Sequence, residues 1–489
     1  MEEQQTASLR LNESNLDALH NGTQRPSYDR QALRIGVVHL GPGAFFRAHQ
    51  MDIYDRLAAR DSHWGVCAVA LNSRGVQEAL APQDGLYTLA ELSEPPRLRV
   101  IGALREVLVA TDDSDAVLQR LAAPTTRLVG LTVTEKGYHL DSRGKLALDD
   151  VDIRADVAAP RQPRTAIGWI AAGLRARRAA GIEPFVVISC DNLSDNGAKL
   201  KQAVIDLAIA GGEADLAAWI TQRAQFPRTM VDSITPATDV ALRDRVSRAI
   251  GLTDAWPVQR ESFIQWILED IGAPVLNDLA RAGATLTSDV AAYEQAKLRL
   301  LNGAHSSLAY SGRLAGIETV GDAMSEPRVA RFIETLMRED LAPSLTPPEG
   351  MNLGAYVDDV LARFRNPGIR HLLSQIAWDG SQKLPVRLFG AIASAAQAGR
   401  SLDRLAVPVA AWMRYVVVAA QRGDALTDPL SEQLLEIGAG ATGEASHDVG
   451  AFLELAMFSQ DACRAAPFRQ ALASTYARLA GPDPLAALG

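Results

Sequence analysis

The run Arg34-Ile35-Gly36-Val37-Val38-His39-Leu40-Gly41-Pro42-Gly43-Ala44-Phe45-Phe46-Arg47 decides the fold class. Its first seven residues read as a short apolar strand, and the stretch from Ala48 to Leu57 has helical periodicity. A strand, two glycines and a helix form the front of a nucleotide-binding βα unit. Glycines there let backbone N–H groups approach a pyrophosphate at the helix N-terminus. Gly41, Gly43, Ala44 and Phe45 are therefore candidate cofactor contacts, with Arg47 expected just inside the helix, facing a phosphate. Phe46 stands where the fingerprint has its third glycine, so the motif alone leaves an ordinary strand–helix turn open.

Downstream, His63–Leu71 reads as the second strand. The carboxylate that usually follows for the adenosine ribose is replaced by Asn72-Ser73-Arg74. An arginine there could take a 2′-phosphate, so the residues leave NAD and NADP open. Residues 86–109 alternate in places and suggest an inserted antiparallel region. Arg127–Val133 is another buried strand, and Thr134 and Glu135 beyond its carboxyl end should border the cofactor. The strand Pro184–Ser189 ends in Cys190-Asp191-Asn192, where Asn192 is either a donor to a reacting oxygen or part of an Asx turn. Phe226–Asp232 is a further extended segment, with Asp232 at its polar end as a pocket or surface carboxylate.

The stretch Tyr293–Tyr310 has no proline, and Leu298, Leu301, Leu308 and Ala309 recur at helical intervals. At about 100° per residue, Lys297 and His305 lie roughly 80° apart, with Asn302 about 60° beyond His305. An amine, an amide and an imidazole on one side of an apolar helix suit removal of a proton from a secondary alcohol, since burying a charge without a task is costly. A solvated face carrying one histidine is the alternative. From about Asp289 the pattern is strongly helical, with Asp379–Pro385 read as a polar turn between helices.

The chain has 489 residues, too many for one ordinary core. The patterns divide it into an N-terminal arm (1–33), a Rossmann-like α/β domain with inserted strands (34–288) and a mostly α-helical domain (289–489). Lys and Arg total 49 against 58 Asp and Glu, a net charge of −9, and no basic run points to nucleic acid or an anionic membrane. Met1-Glu2-Glu3-Gln4-Gln5 lacks the basic-then-apolar pattern of a leader. Cys67, Cys190 and Cys463 match no zinc or disulfide spacing. The expectation is a cytoplasmic, metal-free protein acting on a small molecule.

Six motifs in order carry a resemblance: GxGxFxRAHQ at Gly41–Gln50, TVTEKGY at Thr132–Tyr138, SCDN at Ser189–Asn192, FPxTMVD at Phe226–Asp232, KxxxxNxxH at Lys297–His305 and DGSxKxP at Asp379–Pro385. The chain resembles the polyol-specific long-chain dehydrogenases, the mannitol dehydrogenase family. That resemblance implies a zinc-independent, NAD(P)-dependent alcohol dehydrogenase, with NAD favoured. It implies Lys297 as general base, Asn192 and Asn302 as the oxyanion pair, and His305 as a substrate-orienting residue. Asp232 and Lys383 match substrate-pocket positions, and Glu294 matches an acidic residue that relays the lysine's proton. Gln375 stands where mannitol dehydrogenases usually carry an arginine, and the run to Pro385 looks like the fructuronate reductase (mannonate oxidoreductase) branch. A sugar-acid carboxylate would need cations, for which Arg370 and Lys383 are the nearest candidates.

Overall fold

The computed structural model describes residues 9–93 and 95–488. The chain divides into two compact units, Met1–Ala291 and Ala292–Gly489.

The first unit is built on β1 (Ile35–Leu40), followed by helices α1 (Ala44–Ala48) and α2 (Gln50–Ala58), then β2 (Gly65–Ala70). Next come β3 (Tyr87–Leu92), β4 (Arg97–Ile101), β5 (Leu104–Val109), β6 (Leu128–Leu131) and β7 (Val186–Ser189). Five of these strands form a sheet in the order β5-β2-β1-β6-β7, every neighbouring pair parallel. This is a doubly wound order, whose switch point lies between β1 and β6. Both faces are covered, which is why the inner strands read as unbroken apolar runs. Val37 points into the core that holds Tyr54, Trp64 and Trp266, while its neighbour Val38 points into the core that holds Tyr138 and Trp169.

Two small sheets complete this unit. Strand β3 pairs antiparallel with β4 and parallel with β9 (Val258–Glu261); β10 (Gln265–Glu269) lies between β8 (Thr229–Asp232) and β11 (Thr285–Thr287). The inserted antiparallel region is thus shorter than residues 86–109: β5 belongs to the large sheet, where its ends Leu104 and Val109 are buried beside β2. The N-terminal segment is fastened by polar groups. Arg30 is buried and donates to the carbonyls of Gly102 (2.9 Å) and Asp84 (2.5 Å), and the Tyr28 hydroxyl donates to Asp55 (2.5 Å).

In the second unit the helix read from sequence is interrupted. Helix α4 (Val290–Ala296) runs into a π turn at Lys297–Asn302 and then α5 (Gly303–Leu314); the Gly303 N–H donates to the Leu298 carbonyl, five residues back. Two further π turns occupy Leu336–Leu341 and Pro385–Phe389. All three meet at Gly303. A Cβ there would lie 3.3 Å from Leu388 Cδ2, 3.4 Å from the Arg387 carbonyl oxygen and 3.6 Å from Leu341 Cδ1. Helix α6 (Leu353–Phe364) follows the second π turn. Asp379–Pro385 is not a bare turn: α7 (Gly380–Leu384) leads straight into the third π turn, and Gly380 lies against the Trp412 indole and the Tyr310 hydroxyl, leaving no room for a Cβ. Helix α8 (Asp403–Arg422) packs between α5 and α9 (Ala466–Leu479). Among the described residues, no helix is long and apolar enough to cross a membrane.

The two glycines after β1 differ in what they do. Gly41 has φ +91°, and a Cβ there would overlap the Thr132 carbonyl; Gly43 has φ −63° with open space where a Cβ would stand. Gly41→Ala should therefore cost about 2 kcal/mol or more, and Gly43→Ala less than about 0.5 kcal/mol, read from denaturation midpoints of the cofactor-free protein. Equal losses would contradict this division.

Candidate functional site

The first unit gathers polar groups at the carboxyl ends of its parallel strands. After β1, the Thr132 hydroxyl donates to the Gly41 carbonyl (2.7 Å) while Thr132 Oγ1 lies 3.0 Å from His39 Nε2. With its own proton committed, Thr132 accepts, so His39 carries its proton on Nε2; burial keeps the ring neutral, holding its pKa well below the usual value. Phe46 stacks on that ring at 3.6 Å between centroids. The absent third glycine is thereby explained: α1 meets β1 through an aromatic stack rather than a bare backbone approach. The first turn of α1 has no side-chain cap, and Gly43 in front of it is exposed, with Ala44 and Phe45 half-buried. Free N–H groups at an open helix start fit a phosphate.

Arg47 corrects the sequence expectation. It is fully buried, sandwiched between the Tyr87 and Trp256 rings, and donates to the carbonyls of Pro42 (3.2 Å) and Trp256 (2.7 Å). Its task is to hold the glycine turn from behind. Arg74, after β2, pairs with Asp112 at 2.7 Å.

After β6, Thr134 adopts φ +63°, a strained conformation for a residue with a side chain. Asp191, after β7, holds it there. Its carboxylate accepts from the N–H groups of Val133 (3.2 Å) and Thr134 (2.9 Å) and from the Tyr138 hydroxyl (2.9 Å). Burial pushes the Asp191 carboxyl up while these donors oppose the shift. Glu135 is exposed beside Thr134, and Asn192 is exposed beside Asp191. Next to Asn192, helix α3 (Asn196–Ala210) begins with Asn196, whose amide donates to the Thr229 carbonyl (3.0 Å) and accepts from its N–H (3.0 Å), tying β8 to the end of β7. Asp232 is buried at the end of β8, opposite Gln265.

In the second unit the π turn changes which residues share a face. With about 80° per residue instead of about 100° over Lys297–Asn302, Lys297 and Asn302 come to roughly 50° apart and His305 returns to within roughly 10° of Lys297. A regular helix would have splayed the three over about 140°. Glu294 and Lys297 are half-buried on this element, and His305 is only 7% exposed. The His305 ring lies 4.5 Å from Phe364 and edge-on to His371 at 5.1 Å, and its Nε2 is buried without a partner among the described residues. Burial, then His371, Arg363 and Arg387, hold its pKa well below the ordinary histidine value. The ring is neutral.

Lys383 projects from α7, its side chain 27% exposed and 3.9 Å from Asp379; burial and the neighbouring Arg387 push its pKa down. Arg387 donates from one terminal nitrogen to the Ser306 hydroxyl (2.9 Å) and the Asn302 carbonyl (3.4 Å). Arg370 stands apart, exposed on the surface and paired with Glu318 at 2.6 Å. Sequence reasoning missed Asp191, His371 and Arg387. Arg387 lies two residues past the DGSQKLP motif and His371 next to Arg370, so only proximity to known motifs could have flagged them.

Residues 35–277 match the family profile of the mannitol dehydrogenase Rossmann domain and residues 289–480 that of the mannitol dehydrogenase C-terminal domain. The chain is 41% identical over 465 residues to D-mannonate oxidoreductase of Escherichia coli (strain K12), covering 93% of this chain and 95% of that protein. It is 37% identical over 439 residues to mannitol 2-dehydrogenase of Pyrenophora tritici-repentis (strain Pt-1C-BFP), covering 88% and 77% respectively. Among solved structures it is similar to the Pseudomonas fluorescens mannitol 2-dehydrogenase ternary complex with NAD and D-mannitol, with a TM-score of 0.80 at 35% identity over 98% of this chain and 99% of that one.

The neutral state of His305 has a measurable consequence. Below the ordinary value of 6.5 an unfolded histidine binds a proton that the folded ring refuses, so the stability contributed is complete above that pH and is lost as pH falls. The stability difference between the parent and His305→Gln should shrink by on the order of 1 kcal/mol between pH 8 and pH 5.5. Denaturant titrations at both pH values test this, and a pH-independent difference would show that the folded ring protonates normally.

Proposed function

Because the chain belongs to the mannitol dehydrogenase family, we propose that this oxidoreductase interconverts D-mannonate and D-fructuronate with NAD(H), using Lys297 as general base. The observation that carries the proposal is the π turn that brings Lys297, Asn302 and His305 to one face of one helix. Similarity along nearly the whole chain to a D-mannonate oxidoreductase supports the sugar acid. The alternative is a mannitol- or arabinitol-type polyol 2-dehydrogenase, supported by the mannitol 2-dehydrogenases it also resembles.

Gly41, Gly43, Ala44, Phe45, Thr134 and Glu135 would hold the dinucleotide, a set supported by the open space at Gly43 and the uncapped start of α1. The Arg74–Asp112 pair favours NAD, since a 2′-phosphate would have to compete with Asp112 for the arginine. Bound NAD supplies the hydride acceptor. Lys297 takes the carbinol hydroxyl proton as the carbonyl forms, and Glu294, three residues earlier on the same element, passes that proton to solvent. The side-chain amides of Asn192 and Asn302 donate to the oxygen as negative charge builds, each contributing on the order of 2–4 kcal/mol when well aimed. Neutral His305 hydrogen-bonds a substrate hydroxyl, and Asp232 and Lys383 bind further along the substrate.

A substrate panel read at the nicotinamide absorbance should show mannonate turned over with a higher kcat/KM than mannitol or arabinitol; the reverse order would favour the alternative. Lys297→Ala should nearly abolish oxidation near neutral pH, with partial rescue by small amines, and an Ala variant with near-parental turnover would move the base elsewhere. Prolonged chelation should leave turnover unchanged. Loss of activity that only zinc restores would put a zinc-bound alkoxide in place of the lysine mechanism.

A further inference from the structure

Some inward arginines of this protein spend both sides of the guanidinium on the protein itself. Arg47 and Arg177 each use both sides of the fork on backbone carbonyls. Arg387 does not. Its two hydrogen bonds, to Ser306 Oγ and the Asn302 carbonyl, both come from one terminal nitrogen. Nε and the other terminal nitrogen have no protein partner among the described residues, yet neither is a sealed, unsatisfied atom. The side of the fork that presents two parallel N–H groups is therefore open, and that side matches a carboxylate bidentately.

The charge around it points the same way. No carboxylate among the described residues lies within ion-pair distance of Arg387, and burial lowers its pKa with only Tyr310 opposing. Its titratable neighbours include Lys383, which Arg387 pushes down, and His305, which it helps to keep neutral. Arg370, the other cation expected to meet a carboxylate, is neutralised by Glu318 on the surface. A half-buried guanidinium beside a lysine, without its own counter-ion, is costly for a site that receives only neutral hydroxyls.

We propose that the open edge of Arg387 binds the carboxylate of the substrate and is the specificity-determining contact that selects a sugar acid over a neutral polyol. This rests on the sugar-acid reading above and adds to it the residue responsible. The arginine is held by the backbone of the π turn that carries Lys297 and Asn302, so the carboxylate is placed in register with the reacting end.

The test compares D-mannonate with its neutral amide, D-mannonamide, in calorimetric titrations of the NADH-loaded protein and in turnover. Arg387→Gln should weaken mannonate binding by about 100-fold and change amide binding by less than about threefold. Arg387→Lys should retain part of the preference, and Ser306→Ala, which removes a partner but no charge, should keep the acid-to-amide ratio. Equal losses on acid and amide in Arg387→Gln, with normal mannonate use by the parent, would overturn the assignment and make Arg387 a brace for the π turn. If instead the parent protein binds mannonate no better than the amide and prefers mannitol, the sugar-acid reading itself fails, and this assignment with it.

Discussion

The second unit depends on one hydrogen bond spanning five residues, from the Gly303 N–H to the Leu298 carbonyl. Replacing the usual four-residue span inserts about one extra residue into the turn and rotates everything downstream back by about 90°. Without that rotation His305 and Asn302 would leave the lysine's face. An isolated π turn is a poor helix, so neighbours must hold it. Here they are two other π turns, whose Leu341, Leu388 and Arg387 carbonyl pack closely on Gly303. Arg299, within the turn, donates to the Ser344 carbonyl and hydroxyl at the far side. The irregularity is thus fixed by packing rather than by local preference.

The first unit reaches its working geometry by a different route. At Thr134 the backbone is strained, and the restraint is electrostatic: one half-buried carboxylate, Asp191, collects three donors from the neighbouring loop. The same short segment carries Asn192, so the backbone that positions the asparagine is also the backbone that fixes the loop of Thr134 and Glu135. Arg47 does the corresponding work for the glycine turn, tying Pro42 to the Trp256 carbonyl from the core side. Strain at strand ends persists only when surroundings over-determine it, and at Thr134 the three bonds to Asp191 do so.

This explains what could be read from the residues alone. Strands β1, β2, β6 and β7 were legible because a parallel sheet covered on both faces turns burial into plain apolar runs. The division into an α/β unit and a helical unit was legible for the same reason, as the period of the pattern changes near Asp289. The π turns were not. Inserting one residue leaves the apolar spacing of Leu298, Leu301 and Leu308 close enough to helical, so nothing in the pattern reports the changed hydrogen bond. Arg47 was misplaced because a short helix beside glycines suggests a phosphate contact, while the rings and the Trp256 carbonyl that claim it are about forty and two hundred residues away in sequence. Arg387 was invisible because its meaning lies in an edge left unused, which only three-dimensional accounting reveals.

Charge and hydrogen bonding are divided among the groups around α5. His305 is surrounded by Arg363, Arg387 and His371, and burial adds to their effect, so protonating it is doubly unfavourable. A neutral imidazole has one donor and one acceptor, and its buried Nε2 has no partner among the described residues. Leaving such an atom unsatisfied costs about 1–3 kcal/mol unless a ligand supplies the missing bond. A hydroxyl can do so in either tautomer, because it both donates and accepts; a carboxylate could serve only a protonated nitrogen. Arg387, one of the groups that oppose a positive charge on His305, is also the one whose open edge suits a carboxylate. In the proposed reaction the ring therefore reads hydroxyls and Arg387 and Lys383 read the acid, and neither task can be exchanged for the other without moving a proton that the site is built to exclude.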